Sequence, residues 1–129
     1  FATASPEDIA EALERDGRVV VRGVLFDFDS ATLTDEGLAA SARIGNAIAI
    51  NQGMRVAIVG HTDTTGDFQY NIGLSERRAR AMRDRVLESQ NIAGDRVVAV
   101  GVGPVAPAAS NATDAGRAQN RRVEVVLIN

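Results

Sequence analysis

Cysteine and lysine are both absent from the 129 residues. Without cysteine there is neither a disulfide nor a thiolate metal site, and the redox compartment is left unread. His61 is the single histidine, so zinc sites built from several His or Cys ligands are excluded too, and no metal or cofactor is expected. All 14 basic side chains are Arg, which suits a bidentate grip on carboxylates, although a compositional bias of the source explains it more simply. Excess positive charge is lacking: a net charge of −3 and a pI of about 5.1 argue against a dedicated nucleic-acid binder, whose affinity comes from neutralising phosphates. No apolar run approaches the roughly 18 residues of a membrane span, and the first residues lack a charged-then-apolar leader. The chain is therefore expected neither to cross a membrane nor to carry its own export signal. Aromatics are few, with four Phe and one Tyr.

What is present is an ordinary globular balance, 45% hydrophobic and 24% charged, in the length of one domain. Pro6 with Glu7 and Asp8 opens a short helix that Asp16-Gly17 ends. Residues 18–28, rich in Val, Leu and Phe, predict a hairpin or bulged strand interrupted at Gly23, with Phe26 and Phe28 on one face beneath the helices. Leu33, Gly37, Ala40, Ile44, Ala47 and Ile48 recur at helical spacing until residues 51–53. A strand over 55–59 follows, in a strand–helix–strand order that suggests a parallel crossover. A second helix is expected over 74–89 with Ser75 as its cap, then strands over 97–102 and 122–128. No internal repeat is found. Each long helix has one apolar stripe to bury, so the fold expected is a two-layer α/β sandwich: a mixed sheet in β-α-β-α-β-β order behind a short N-terminal helix.

The densest polar text is Gly60-His61-Thr62-Asp63-Thr64-Thr65-Gly66, running on to Asn71, Leu74, Ser75, Arg78 and Ala79. It joins a strand exit to a helix entry, where unpaired amides accept anionic groups and Thr, Asp and Asn side chains line the same rim.

GHTDTTGDFQYNIGLSERRA (residues 60–79) resembles the signature of the OmpA-like peptidoglycan-binding domain. FDFDSATL (26–33) is similar to that family's first strand and loop, and NATDAGRAQNRRVE (111–124) to its closing motif, so the resemblance runs from about Arg18 to Val126. It divides the chain into a 1–17 extension and an 18–129 domain. The family includes outer-membrane proteins with a separate barrel, peptidoglycan-associated lipoproteins and flagellar stator anchors, and its shared domain binds the diaminopimelate of the peptide stem. The resemblance implies that Asp63 receives the ligand's ammonium and Arg78 its carboxylate. It also implies that Asn71 and Thr65 line the pocket and that Asp29 and Ser30 face the same cleft. A periplasmic location follows from it, with tethering to the outer membrane through a segment absent from this chain, and a homodimer is compatible with it. Nothing before Arg18 shows the rest of a larger outer-membrane protein, which leaves open a separate small protein or part of a longer one.

The pairing also makes sense without the family. A free amino acid end carries one positive and one negative charge, and charge-assisted bonds from one carboxylate and one guanidinium select such a zwitterion.

Plainer readings compete. Asp63 and Arg78 could form a surface ion pair worth about 0–1 kcal/mol, but the surrounding motif favours a ligand site. A Ser-His-Asp hydrolase lacks Gly-x-Ser-x-Gly text, so no enzyme is expected and His61 is assigned a structural hydrogen bond to the loop. The Arg-rich segment 76–85, where Arg77 and Arg80 flank Arg78, reads as a solvated face. An Arg of the Asn120-Arg121-Arg122 run is expected to brace the Asp-bearing loop or neutralise a buried acid. The second hypothesis is a protein-interaction or oligomerisation module of the same fold that ignores Asp63 and Arg78.

Overall fold

In the computed structural model, which describes residues 5–129, every α-helix opens on a side-chain cap. Ser5 accepts from the Asp8 amide ahead of α1 (Pro6–Asp16), and Asp8 accepts from the Ser5 amide in return, closing a capping box. Thr34, Asp67 and Thr113 cap α2 (Asp35–Ala49), α3 (Phe68–Gln90) and α4 (Asp114–Asn120), each side chain accepting from one first-turn amide. The expected start of α3 near Ser75 is corrected here. Asp67 accepts from the Tyr70 amide at 2.8 Å, so the helix begins at Phe68. Ser75 lies buried inside α3, where its hydroxyl accepts from the Gly103 amide at 2.9 Å. At the far end of α2, Arg96 donates to the carbonyls of Ile48 and Asn51 at 2.7 and 2.6 Å, giving each a second partner beside its main-chain amide.

The four strands are β1 (Arg18–Val21), β2 (Val56–His61), β3 (Val97–Gly103) and β4 (Arg122–Leu127), in spatial order β1-β4-β2-β3. β2 and β3 are parallel, and β4 is antiparallel to both of its neighbours. The crossover between adjacent parallel strands is thus β2–α3–β3. β1 and β2 run the same way, as the strand–helix–strand order suggested, but β4 lies between them.

One sheet face carries Val19, Val21, Val56, Ile58, Val123 and Val125 into a core closed by Ile44, Ile48, Met82 and Val86 of α2 and α3. Full burial of each large aliphatic side chain is worth about 1.5–3 kcal/mol. Ile9 and Leu13 of α1 join the same core. The architecture is the two-layer α/β sandwich, with α4 as an additional short helix. Among α4's residues only Gly116 and Asn120 are buried, so it has no apolar stripe for a periodicity reading to find.

The segment 18–28 is a strand only as far as Val21. Gly23 takes φ 118°, the chain leaves the sheet, and Phe26 makes an isolated bridge to Leu33 around a turn in which Asp29 sits at φ 51°. That turn separates the two rings expected on one face: Phe26 is 9% exposed and Phe28 98%.

Two glycines set the placement of α3. A Cβ on Gly60 would lie 2.4 Å from the Ser75 carbonyl oxygen, and one on Gly101 would lie 2.2 Å from the Glu76 amide nitrogen. The helix therefore rests directly on β2 and β3, and its first turns stand beside the loop that leaves β2 at His61.

Candidate functional site

The loop after β2 is wrapped on itself. The Thr62 amide donates to the Gly103 carbonyl at 2.9 Å, which continues the sheet by one bond. Asp63 Oδ1 accepts from the Thr65 amide at 2.8 Å, and Asn71 Nδ2 donates to the Thr65 carbonyl at 2.9 Å, tying the loop to the first turn of α3. Arg121, between α4 and β4, donates to Asp63 Oδ2 at 2.6 Å. Burial disfavours the charged Asp63, but the Thr65 amide and the Arg121 guanidinium outweigh it and hold the carboxyl below its ordinary range.

Arg78 projects from the third turn of α3. Its Nε donates to the Ser30 carbonyl at 2.7 Å and Nη2 to the Asp27 carbonyl at 3.3 Å, while the guanidinium lies 5.1 Å from the centre of the Phe26 ring. Burial lowers its pKa, and the nearby Asp29 and Tyr70 partly offset this. Tyr70 Oη donates to Asp29 Oδ1 at 2.6 Å, which links the same loop to α3 and raises the phenol's pKa.

Between these elements lies an open cleft of about 660 Å³. Asp29, Asp63, Thr65, Asn71 and Arg78 all line it, together with Phe28, Tyr70 and Arg121. Ser30 does not: its carbonyl holds Arg78 and its hydroxyl accepts from the Thr32 amide. Tyr70 was not singled out from the sequence, and Arg121 was expected only within the run that braces the Asp-bearing loop, a role its bond to Asp63 bears out, and not as a wall residue. Arg121 lies at the chain's other end, and no local spacing signals its approach to Asp63. Asp63 and Arg78 are not the surface ion pair of the plainer reading. Asp63 pairs with Arg121, while Arg78 donates to main-chain carbonyls. An anionic and a cationic side chain thus face one cleft without neutralising each other.

On the outer face of the sheet Arg122 pairs with Glu124 at 2.6 Å, and Arg18 reaches the other carboxylate oxygen at 2.9 Å. His61 sits beside this cluster, 3.7 Å from Glu124, and neither ring nitrogen closes a hydrogen bond among the described residues. The expected bond from His61 to the loop is therefore absent. Burial, reinforced by Arg122, keeps the imidazole neutral at pH 7. The expected solvated face over 76–85 holds for Arg80, paired with Glu76, but not for Arg78 or for Arg83, which donates to the Val97 carbonyl at 2.7 Å. Among the described residues no His/Asp/Glu cluster could hold a metal, and no helix is long and apolar enough to cross a membrane.

Asp63 and Glu124 both have native pKa values below their unfolded ones. Their stabilising contributions are complete above the ordinary carboxylate range near pH 4 and are lost as pH falls through the depressed native values. Urea midpoints should be flat above about pH 7.5, fall through the ordinary histidine range near pH 6.5 as the unfolded chain takes up a proton that buried His61 resists, and drop further below about pH 4. In Arg121→Gln, where Asp63 loses one source of its depression, the acid drop should be shallower. An unchanged slope would remove Arg121 from this account.

Comparison with known proteins gives a consistent picture. Residues 25–121 match the family model described as the OmpA family. Peptidoglycan-binding protein ArfA of Mycobacterium tuberculosis is 41% identical over 104 residues, 81% of this chain and 32% of ArfA. Outer membrane porin F of Pseudomonas aeruginosa is 42% identical over 101 residues, 78% of this chain and 29% of the porin. The chain spans about a third of the length of these curated relatives. The crystal structure of the peptidoglycan-associated lipoprotein from Burkholderia pseudomallei is similar with a TM-score of 0.72 and 30% identity, covering 84% of this chain and 91% of that one.

Proposed function

This chain belongs to the OmpA family, and we propose that it binds bacterial peptidoglycan non-covalently, gripping the free end of diaminopimelate in the peptide stem and so anchoring an envelope protein to the cell wall. The observation that carries the reading is the pair of opposite charges on one cleft, Asp63 and Arg78, which are not bonded to each other. The ligand's ammonium goes to Asp63 and its carboxylate to Arg78, in charge-assisted bonds that a neutral or singly charged end cannot both satisfy. Thr65 and Asn71 hold the Asp63 loop in shape and line the wall. Asp29 and Ser30 belong to the loop that Arg78 pins. The domain acts by binding, not catalysis, and uses no cofactor. Residues 18–129 form the binding domain and 1–17 an extension whose helix closes the core. The location is the periplasmic space of the envelope, with tethering to the outer membrane.

Co-sedimentation with purified cell-wall sacculi tests this. Binding to diaminopimelate-type walls is expected, with much weaker binding to Lys-type walls, whose stem lacks the carboxylate for Arg78. Equal retention on both wall types would remove the diaminopimelate assignment. The second reading, an interaction or oligomerisation module, is favoured by one observation: β3 is a free sheet edge on which Val98 and Val100 are exposed. It predicts sedimentation that is indifferent to Asp63→Ala.

A further inference from the structure

The cleft does not end at Arg78. A second, smaller chamber of about 390 Å³ adjoins it, and the two share Phe28, Arg78 and Arg121. Its walls are largely apolar, from Val24, Leu25 and Phe26 on one side and Ala118 and Val123 on the other. The amino acid end of one stem residue occupies only part of this space, since either chamber alone falls within the roughly 300–1,000 Å³ of a pocket for a larger ligand.

The charges point to what the extension carries. A zwitterionic end uses one carboxylate and one guanidinium, Asp63 and Arg78. Arg121 is then surplus: its present partner is Asp63, the group the ligand's ammonium would take. The side chain is 53% exposed, so it can leave Asp63 without dragging buried structure with it. It stands at the boundary of both chambers, beside an apolar wall that would shield an ion pair from water.

From this geometry we infer that Arg121 is a further binding residue, and that it recognises a second carboxylate on the stem residue preceding diaminopimelate. That residue is a glutamate joined through its γ-carboxyl, and its α-carboxylate is free unless converted to the carboxamide. The site thus discriminates unamidated from amidated stems. The inference rests on the reading of Asp63 and Arg78 as the diaminopimelate clamp.

The test is calorimetric titration with three probes: diaminopimelate alone, the stem tripeptide with a free α-carboxylate, and the same tripeptide carrying the carboxamide. The readout is the affinity ratio of acid to amide within each protein. The wild type should prefer the acid by about 5- to 30-fold, the range of a partly desolvated charge-assisted pair. Arg121→Gln should bring the ratio close to one, and Arg121→Lys should restore part of it. If Arg121 only braces Asp63, the variant changes the absolute affinity of both tripeptides and leaves the ratio alone, which overturns the inference. A ratio of one in the wild type overturns it as well, while binding of diaminopimelate itself leaves the clamp standing. Failure of all three probes in the wild type removes the clamp and this extension together.

Discussion

Arg78→Ala should abolish retention on diaminopimelate-type walls while the protein stays folded. The guanidinium is half-buried, so in the complex it meets the ligand's carboxylate with little competing water. Truncating one partner of such a pair typically costs about 2–4 kcal/mol, or ~30- to 1,000-fold in affinity. The same side chain pins the 27–30 loop through two carbonyls, so part of the loss would come from loosening that loop. Arg78→Lys separates the two effects. A lysine retains the charge but not the planar fork, and recovery of only a fraction of the affinity is expected. Titration with the stem tripeptide reads both variants, with circular dichroism as the check on folding. Full affinity in Arg78→Ala would show that the carboxylate goes elsewhere.

Asn120→Ala should produce the largest loss of stability from a single polar truncation. Asn120 is fully buried at the end of α4, and its amide makes four hydrogen bonds. Oδ1 accepts from the Ala108 and Ala109 amides at 2.7 and 2.9 Å, and Nδ2 donates to the Ala109 carbonyl and to Asn111 Oδ1 at 2.8 and 2.9 Å. This one side chain organises the loop between β3 and α4. Removing it leaves several groups unpaired at about 1–3 kcal/mol for each that water cannot reach, so a net loss of about 3 kcal/mol is expected. Urea denaturation measures it. Because Arg121 follows directly, the variant should also weaken wall binding at temperatures where it is still folded. A loss below about 0.5 kcal/mol, the range of ordinary surface changes, would mean that the loop holds its shape without Asn120.

How much of this the sequence made legible follows from the range of each interaction. The α2 stripe and the β4 alternation are local patterns, so both elements could be read directly. The Asp67 cap is equally local, but the apolar positions that mark the helix by their spacing begin only near Leu74, so periodicity alone starts α3 too late. That the strand does not resume after Gly23 was hidden by the residues that follow, since Val-Leu-Phe text favours a strand even where a positive φ has already turned the chain out of the sheet. Asp63 and Arg78 could be named only because a family signature spans both. Periodicity alone would not have chosen them from the other acids and arginines. The partners that complete the cleft are non-local: Arg121 reaches Asp63 across 58 residues, and Tyr70 reaches Asp29 across 41. Such pairs depend on how β4 enters between β1 and β2, which no short window of sequence contains.

The central claim is that Asp63 and Arg78 hold the two charges of one ligand end. It is tested most directly by titrating the isotope-labelled domain with diaminopimelate stem peptide and following its amide and guanidinium NMR resonances. The account predicts saturable shifts concentrated on the Thr65 amide, which is bonded to Asp63, and on Arg78 Nε, both absent with the Lys-stem peptide. Shifts confined to β3 around Val98 and Val100, with Thr65 and Arg78 unmoved, would contradict it.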